Sequence, residues 1–231
     1  MQRIQGYAQP RVGAVESAND ILWITYRWMS LGLALTGAVA WLVAHSEAAI
    51  GFLFEHRALF YVLMFAQLGL VFTFSALAQR VSTMVAASMF FAYAALTGVT
   101  FSTLFLVYTS SSIAQTFFVT AGAFAGLSIF GATTRRDLSA VGRFALFALI
   151  GLILASVVNI WLASSTLMWI TTYVGILLFA ALTAYDTQKL KAIYAAHGAS
   201  GNLALIGALT LYLDFINMFI FLMNIMGRRR D

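Results

Sequence analysis

Two aspartates stand out as residues that could do chemistry, because each lies inside an apolar segment of the last quarter of the chain. Asp186 lies in Leu182-Thr-Ala-Tyr-Asp-Thr-Gln-Lys, and Asp214 lies in Leu211-Tyr-Leu-Asp-Phe-Ile-Asn-Met. A carboxylate in hydrocarbon costs several kcal/mol unless it is protonated, paired or hydrated. We therefore interpret the pair as functional rather than as polar glue between helices, which Ser, Thr or Asn would supply at lower cost.

Two carboxylates close together in a low-dielectric seam cannot both ionise cheaply, so the pair is expected to share one proton. With the proton present, Asp186 and Asp214 can hydrogen-bond and hold their helices together. Without it they repel each other, and the freed oxygens suit a weakly and transiently bound calcium ion. Weak binding is also what conduction requires. These residues predict a proton switch in the seam between the two helices, with no cofactor.

Helical spacing places small and polar residues on the same face as each aspartate. The two faces predict an interior seam in which Thr183, Thr210 and Asn217 give the pair polar support. The seam could be dry and hydrogen-bonded, or it could be a narrow water-filled path. The predicted faces consist of Thr172, Gly175, Phe179, Thr183 and Asp186 on the sixth helix, and of Gly207, Thr210, Asp214, Asn217, Phe221 and Asn224 on the seventh.

The composition determines the class of protein. Hydrophobic residues make up 62% of the chain and charged residues 9%, with a mean hydropathy of +0.91, and such a chain cannot form a soluble domain with a polar surface. At about 20 to 25 residues for each crossing, 231 residues supply at most about seven. We predict an all-α, polytopic bundle of seven transmembrane helices in a lipid bilayer. The chain has no cysteine, which excludes thiolate chemistry, and no nucleic-acid partner is expected.

The hydrophobic pattern divides the chain into an N-terminal tail, residues 1–20, and a single transmembrane bundle, residues 21–231. The tail lacks the charged, apolar and small-residue succession of a signal peptide, so it is expected to be retained, flexible and cytoplasmic. Residues 45–57 are predicted to form a mildly charged loop. Helices are predicted at about 22–44, 58–78, 84–107, 113–132, 141–163, 167–194 and 203–226.

Orientation follows from the distribution of Lys and Arg between the two sides. An N-terminus inside the cell places the C-terminal cluster of Arg228, Arg229 and Arg230 outside if there are seven crossings. The last segment could therefore span the membrane or be re-entrant, and its length favours a span. On the cytoplasmic side this orientation collects most of the 13 basic residues, namely Arg3, Arg11, Arg27, Arg80, Arg135, Arg136, Arg143, Lys189 and Lys191.

The segments around the two aspartates resemble the Bax inhibitor-1 family, also called transmembrane Bax-inhibitor-motif proteins, and specifically its bacterial branch. The resemblance covers essentially the whole hydrophobic part of the chain. It rests on Ala184-Tyr185-Asp186-Thr187-Gln188 and on Leu211-Tyr212-Leu213-Asp214-Phe215-Ile216-Asn217, which is the most specific of the motifs. It extends to Thr134-Arg135-Arg136-Asp137-Leu138-Ser139 and to Thr97-Gly98-Val99-Thr100.

What the resemblance implies is a bundle with its last helix near the centre, acting as a pH-sensitive calcium leak of the cell inner membrane. It also implies that Asp186 and Asp214 form the proton-sharing pair. An arginine at the cytoplasmic end of the second helix, here Arg80, is implied to bond to them as a latch. Bacterial relatives also resemble modulators of a membrane-bound AAA protease, so such a protease is a candidate partner. The oligomeric state is left open.

Three classes of function fit a membrane protein with these features: an ion leak, a regulator that binds another membrane protein, and an intramembrane enzyme. We expect no enzyme, because the Gly-x-Gly-Asp context of intramembrane aspartyl proteases is absent around Asp186 and Asp214. A secondary transporter would show corresponding interrupted helices in two repeats, and this sign is missing. A regulator would be expected to use the tail, residues 1–20, whereas a leak should survive its deletion.

Overall fold

Long apolar runs without proline favour α-helix in a membrane, because a helix satisfies its backbone hydrogen bonds within the segment. A computed structural model describes residues 12–197 and 201–230 of this chain. Over these ranges the residues form α-helices, and the one strand-like feature is an isolated bridge between Tyr108 and Arg229. The helices are α1 (Val12–Ala44), α2 (Glu47–Glu55), α3 (Arg57–Leu77), α4 (Thr83–Phe101), α5 (Leu104–Val107), α6 (Ser110–Thr133), α7 (Ser139–Leu162), α8 (Ser165–His197) and α9 (Gly201–Met226).

Seven stretches of the described chain are long and apolar enough to cross a membrane, which confirms the predicted all-α, polytopic class. The short α5 continues the span of α4, and α2 lies outside the seven. Each stretch overlaps one of the predicted helices. The seven stretches are Ala18–Ala44, Ala58–Leu77, Thr83–Val107, Ser110–Thr133, Ser139–Leu162, Ser165–Ala196 and Gly201–Met226.

Two parts of the prediction need correction. The first helix begins at Val12, so residues 12–20, predicted as part of the tail, are its first turns, and residues 1–11 lie outside the described chain. No proline follows Pro10 to interrupt the helix. The predicted loop at 45–57 contains the helix α2. The Ser46 side chain caps the N-terminus of this helix, where it accepts a hydrogen bond from the backbone N–H of Ala49 at 3.3 Å.

The last helix, α9, occupies the centre of the bundle, as the family resemblance implied. It packs against α1, α4, α6 and α8, and most of its apolar side chains are buried. The peripheral helix α3 is the opposite case, because its main contacts are with α4 and α2 and most of its side chains face outward. A helix surrounded by protein can hold a carboxylate away from lipid, whereas a peripheral one cannot.

The two ends of α9 lie at opposite faces of the bundle. At its start, the Asn202 amide donates to two backbone carbonyls of the turn between α3 and α4, each at 2.8 Å. We call this end the near face. Beyond its last turn, the backbone N–H of Thr109 donates to Arg228 at 2.9 Å, and that of Arg230 donates to Val107 at 2.9 Å. We call this end the far face.

The turn before α4 is bonded to the near-face end of α9, and the segment after α5 is bonded to the far-face end. These two segments are opposite ends of one span, which α4 and α5 form together. Because α9 runs without interruption from one to the other, it crosses the whole bundle and is not re-entrant. The near face also carries the turn between α6 and α7, which is bonded to the end of α8. Of the described basic residues, Arg80, Arg135, Arg136, Arg143, Lys189 and Lys191 therefore belong to the near face, which the positive-inside rule predicts to be cytoplasmic.

Candidate functional site

The two aspartates lie at nearly the same depth in neighbouring antiparallel helices. Asp186 is 11 residues before the end of α8, about 16 Å along its axis, and Asp214 is 13 residues after the start of α9, about 20 Å. Both side chains are buried, with 9% of Asp186 and 4% of Asp214 exposed. The helices α8 and α9 that carry them pack directly against each other. The fold thus brings together two carboxylates that are 28 residues apart in sequence.

One oxygen of the pair lacks any hydrogen-bond partner. Asp214 Oδ2 is buried and makes no hydrogen bond to the described part of the protein. A buried carboxylate oxygen without a donor carries a large desolvation cost, which protonation relieves. Shared between two neighbouring carboxylates, one proton would also supply the missing donor. The environment of Asp214 is therefore suited to a carboxyl group that gains and loses a proton.

The three residues predicted to support the pair each donate one hydrogen bond within their own helix. Each donates to the backbone carbonyl four residues earlier in its own helix, at 2.7 Å for Thr183, 3.0 Å for Thr210 and 2.8 Å for Asn217. Such bonds satisfy a polar side chain without a partner on the neighbouring helix. Sequence spacing identified the face on which these residues lie, but it did not identify their acceptors.

The wall behind Asp186 is built by close packing of α6 against α8. Gly131 leaves no room for a methyl group, because the backbone of Ala184 occupies that space. One turn away, Thr187 donates both to the carbonyl of Thr183 at 2.7 Å and to the hydroxyl of Ser128 at 3.5 Å. This glycine contact fixes the distance between the two helices and so fixes the position of the Asp186 backbone.

An aromatic contact closes the seam between the pair and the far face. The rings of Phe179 on α8 and Phe221 on α9 stack at 6.0 Å between centroids and 27° between planes. Gly175 faces the Phe221 ring with no room for a methyl group. Phe179 precedes Asp186 by seven residues, and Phe221 follows Asp214 by seven. Because the helices are antiparallel, both rings lie about 10 Å from the aspartates toward the far face. The predicted seam is lined by aromatic rings here, and spacing by seven residues was the signal for this contact.

The structure does not bring Arg80 to the aspartates. Arg80 is exposed in the turn between α3 and α4, at the level of Asn202, which is 12 residues and about 18 Å from Asp214 along α9. Within the ranges that the structure describes, it forms no ion pair with Asp186 or Asp214. The latch that the resemblance implies stays a prediction, and it requires this turn to move toward the centre of the bundle.

A different basic residue, Lys189, follows Asp186 by three residues on α8. Its ammonium lies 5.7 Å from the centre of the Tyr185 ring, a cation–π distance, and the side chain is exposed at the near face. Sequence reasoning counted Lys189 only toward orientation. Its position three residues after Asp186, on the same helix face, was the signal for an electrostatic role.

The turn between α6 and α7 is bonded to the aspartate helix through one glutamine. Gln188 accepts from the backbone N–H of Leu138 and donates to the carbonyl of Arg136, both at 2.9 Å. In the same turn, hydrogen bonds from Ser139 hold the pKa of the exposed Asp137 below its usual value. Movement of this turn is thereby coupled to movement of α8.

A cavity of about 550 Å³ opens on the near face beside this turn. Its lining includes Tyr185 and Lys189, which flank Asp186 in sequence, together with Arg135 and Arg136, but neither aspartate of the pair. Among the described residues, no group of three or more His, Cys, Asp and Glu side chains could hold a resident metal. Two carboxylates alone supply fewer oxygen ligands than a permanently bound calcium ion takes.

Comparisons with known proteins agree over almost the whole chain. A family model described as Inhibitor of apoptosis-promoting Bax1 matches residues 18–231. Inner membrane protein YbhL of Escherichia coli (strain K12) is 48% identical, over 99% of this chain and 98% of the relative. A protein of Deinococcus radiodurans is 45% identical over 100% of both chains. An uncharacterized membrane protein of Streptococcus pyogenes serotype M3 is 34% identical over 96% of each.

Proposed function

This chain belongs to the Bax inhibitor-1 family of multi-pass membrane proteins, and on that premise we propose that it is a pH-sensitive calcium leak of the inner membrane. A proton shared between Asp186 and Asp214 closes the leak. The observation that carries this proposal is the buried, unpartnered Oδ2 of Asp214 beside a second buried carboxylate. None of the relatives described above is named as an enzyme, and we propose no enzymatic activity.

The direction of the pH response follows from the charges. At low pH the pair holds a proton, one carboxyl donates to the other, and α8 and α9 stay together. When pH rises and the proton leaves, two negative charges face each other in a low-dielectric seam and repel. Separation of the helices relieves this repulsion. Calcium flux should therefore increase as pH rises.

The proposed ion path has a polar half and an aromatic half. Calcium would enter from the near-face cavity past Lys189, whose positive charge weakens cation binding at the pair. Weak binding favours release and hence conduction. On the far side, the stacked rings of Phe179 and Phe221 exclude water until α8 and α9 separate. In this arrangement the carboxylates sense the proton and the rings close the pore.

The test is calcium flux into liposomes that contain the purified protein, measured from pH 5 to 8 against empty liposomes. We expect flux that increases with pH and that loses its pH dependence when Asp186 and Asp214 are both changed to Asn. Asp137→Asn is the matched control, because this carboxylate is exposed outside the spanning helices. Full pH dependence in the double variant would place the sensor elsewhere.

Absence of flux at any pH would replace the leak with a non-conducting regulator of another membrane protein, such as a membrane-bound AAA protease. The variant that separates these functions is a deletion of residues 1–11. Deletion of residues 1–20 would also remove the first turns of α1, in which Ala18 is fully buried. A leak should survive loss of residues 1–11, whereas a regulator that uses this segment should lose its partner.

A further inference from the structure

A continuous groove runs down the side of the bundle between α1 and α6, with α9 as its floor. It consists of two cavities of about 880 and 470 Å³. The groove extends along α1 from Asn19 near the near face to Trp41 near the far face, about 33 Å at 1.5 Å per residue. That length matches the hydrocarbon thickness of a bilayer. The two cavities share the side chains of Leu33, Ala34, Phe117 and Phe215.

The walls of the groove are almost entirely apolar, and its outer rim faces lipid. Trp23 on α1 and Ile129 on α6 are exposed large side chains on opposite rims. The two helices make no extended contact with each other and are held apart over the α9 floor. An apolar groove of this length that opens sideways into the membrane is suited to a hydrocarbon chain.

The near-face end of the groove carries a cation. Lys191 is half-buried in the larger cavity, and its ammonium donates to the carbonyl of Ala132 at 2.9 Å. An ammonium has three donors, so two remain for a ligand. Among the described side chains of residues 18–196 and 201–230, no acidic group forms an ion pair with Lys191. A half-buried cation without a counter-charge favours an anionic partner.

A second polar group on the same cavity also lacks a partner. The hydroxyl of Tyr26 is buried and makes no hydrogen bond to any described residue. Tyr26 lines the cavity with other atoms of its side chain, because the hydroxyl itself is enclosed by protein. The cavity thus combines one positive charge with a long apolar wall.

We propose that the groove between α1 and α6 binds one anionic phospholipid of the near-face leaflet. The phosphate lies at Lys191 and an acyl chain lies along α1 toward Leu33. Basic pockets between transmembrane helices are typical sites for anionic lipid headgroups. A partner helix is a poorer occupant, because it would leave Lys191 without a counter-charge unless it placed an acidic residue inside the membrane.

The experiment is native mass spectrometry of the full chain in detergent, titrated with phosphatidylglycerol or with phosphatidylcholine. We expect one phosphatidylglycerol to be retained in preference to phosphatidylcholine. Lys191→Gln should weaken phosphatidylglycerol binding about fivefold, the effect of one basic residue at a membrane surface. Lys189→Gln is the matched control, because Lys189 lies on the same helix and outside the groove. The affinity of the Lys189→Gln variant for phosphatidylglycerol should equal that of the unchanged protein.

A second pair of variants tests whether the acyl chain occupies the groove. Ala125→Trp fills the wall of α6 and should abolish retention, whereas Ala123→Trp, on an exposed position of the same helix outside the groove, should leave it unchanged. Circular dichroism and thermal melting verify that each variant is folded. Competition by soluble glycerol phosphate should fail, because it lacks the acyl chain.

Three results would overturn the proposal. Equal retention of phosphatidylglycerol and phosphatidylcholine would remove the role of charge. Equal losses in the Lys189 and Lys191 variants would indicate diffuse surface attraction rather than a site. A dimer that dissociates in Ala125→Trp would assign the groove to a second copy of the chain. Because binding is measured without ion flux, failure of the leak would leave this proposal intact.

Discussion

The near and far halves of the seam between α8 and α9 are built from opposite chemistry. The near half contains the carboxylates of Asp186 and Asp214, and the far half contains the stacked rings of Phe179 and Phe221 about 10 Å away. A carboxylate pair responds to protons but attracts water and cations. An aromatic stack excludes water but cannot sense pH. A gate that responds to pH needs both halves on the same two helices.

The halves also differ in how they are connected to α1. On the near half, Thr25 of α1 and Tyr194 of α8 hydrogen-bond at 2.8 Å. Farther along α1, Thr36 bonds to the hydroxyl of Tyr212 on α9 at 2.6 Å. The far-half rings have no such polar connection to α1 among the contacts of the described chain. We therefore expect α8 and α9 to begin to separate at the far half, where the stacked rings hold the two helices together.

The largest effect is expected from removing the charge of the near half. Asp186→Asn and Asp214→Asn should each flatten the pH dependence of calcium flux, and the double variant should add little, because the two groups act as one titrating unit. The measurement is the flux ratio between pH 8 and pH 5 in liposomes. Additive effects of the two substitutions would contradict a shared proton and reduce the aspartates to structural residues.

Removing a ring from the far half should instead open the path without removing the sensor. Phe221→Ala is expected to raise flux at every pH while a residual pH dependence remains, and to destabilise the fold by about 3 kcal/mol, the lower end for Phe→Ala. Flux assays and thermal melting measure the two effects. Phe144→Ala, on an exposed position of α7, is the control. Unchanged basal flux in Phe221→Ala would show that the rings are not the constriction.

Overpacking the same constriction sharpens the comparison. Gly175→Ala would push the Phe221 ring out of its stack, and we expect a loss of about 1 to 3 kcal/mol in stability together with a higher basal flux. Gly151→Ala is the matched control, because no atom lies within 4 Å of its added methyl group. Equal melting temperatures of the two variants would contradict the close contact at Gly175.

The two basic candidates of the near face should differ in their effects. Lys189→Gln removes a cation that stabilises the ionised pair, so the increase in calcium flux should shift to higher pH.

Arg80→Lys keeps the charge but loses the forked guanidinium. If Arg80 acts as a latch, the pH dependence of calcium flux should change in this variant. An unchanged pH profile in Arg80→Lys would limit Arg80 to anchoring at the membrane surface.

The smallest effect is expected from Asp137, the exposed carboxylate of the near face. Hydrogen bonds from Ser139 lower its pKa, so it stays ionised between pH 5 and 8. A lowered folded-state pKa adds stability that is lost only on acidification through that pKa, below the assayed range. Asp137→Asn should therefore leave the pH profile of flux unchanged. A flattened profile would extend the sensor to the turn between α6 and α7.

Much of the architecture follows from the sequence alone. Apolar runs of the required length determine seven spans, since any other spanning structure would leave backbone groups unsatisfied in lipid. Helical periodicity places Asp186 and Asp214 on the faces that meet, and their depth follows from the helix ends. These features are local, because each depends on residues within one helix. They predict the aspartate pair as the candidate site before any packing is known.

Only the tertiary structure decided what faces each of these residues. Spacing along one helix defines a face but not its neighbour, so it could not show that Arg80 lies in the near-face turn, away from the pair. It could not show that Thr183 bonds to its own helix. The groove between α1 and α6 also depends on helices distant in sequence, which α9 holds apart. These contacts arise from helix packing, and helix packing is a property of the whole bundle.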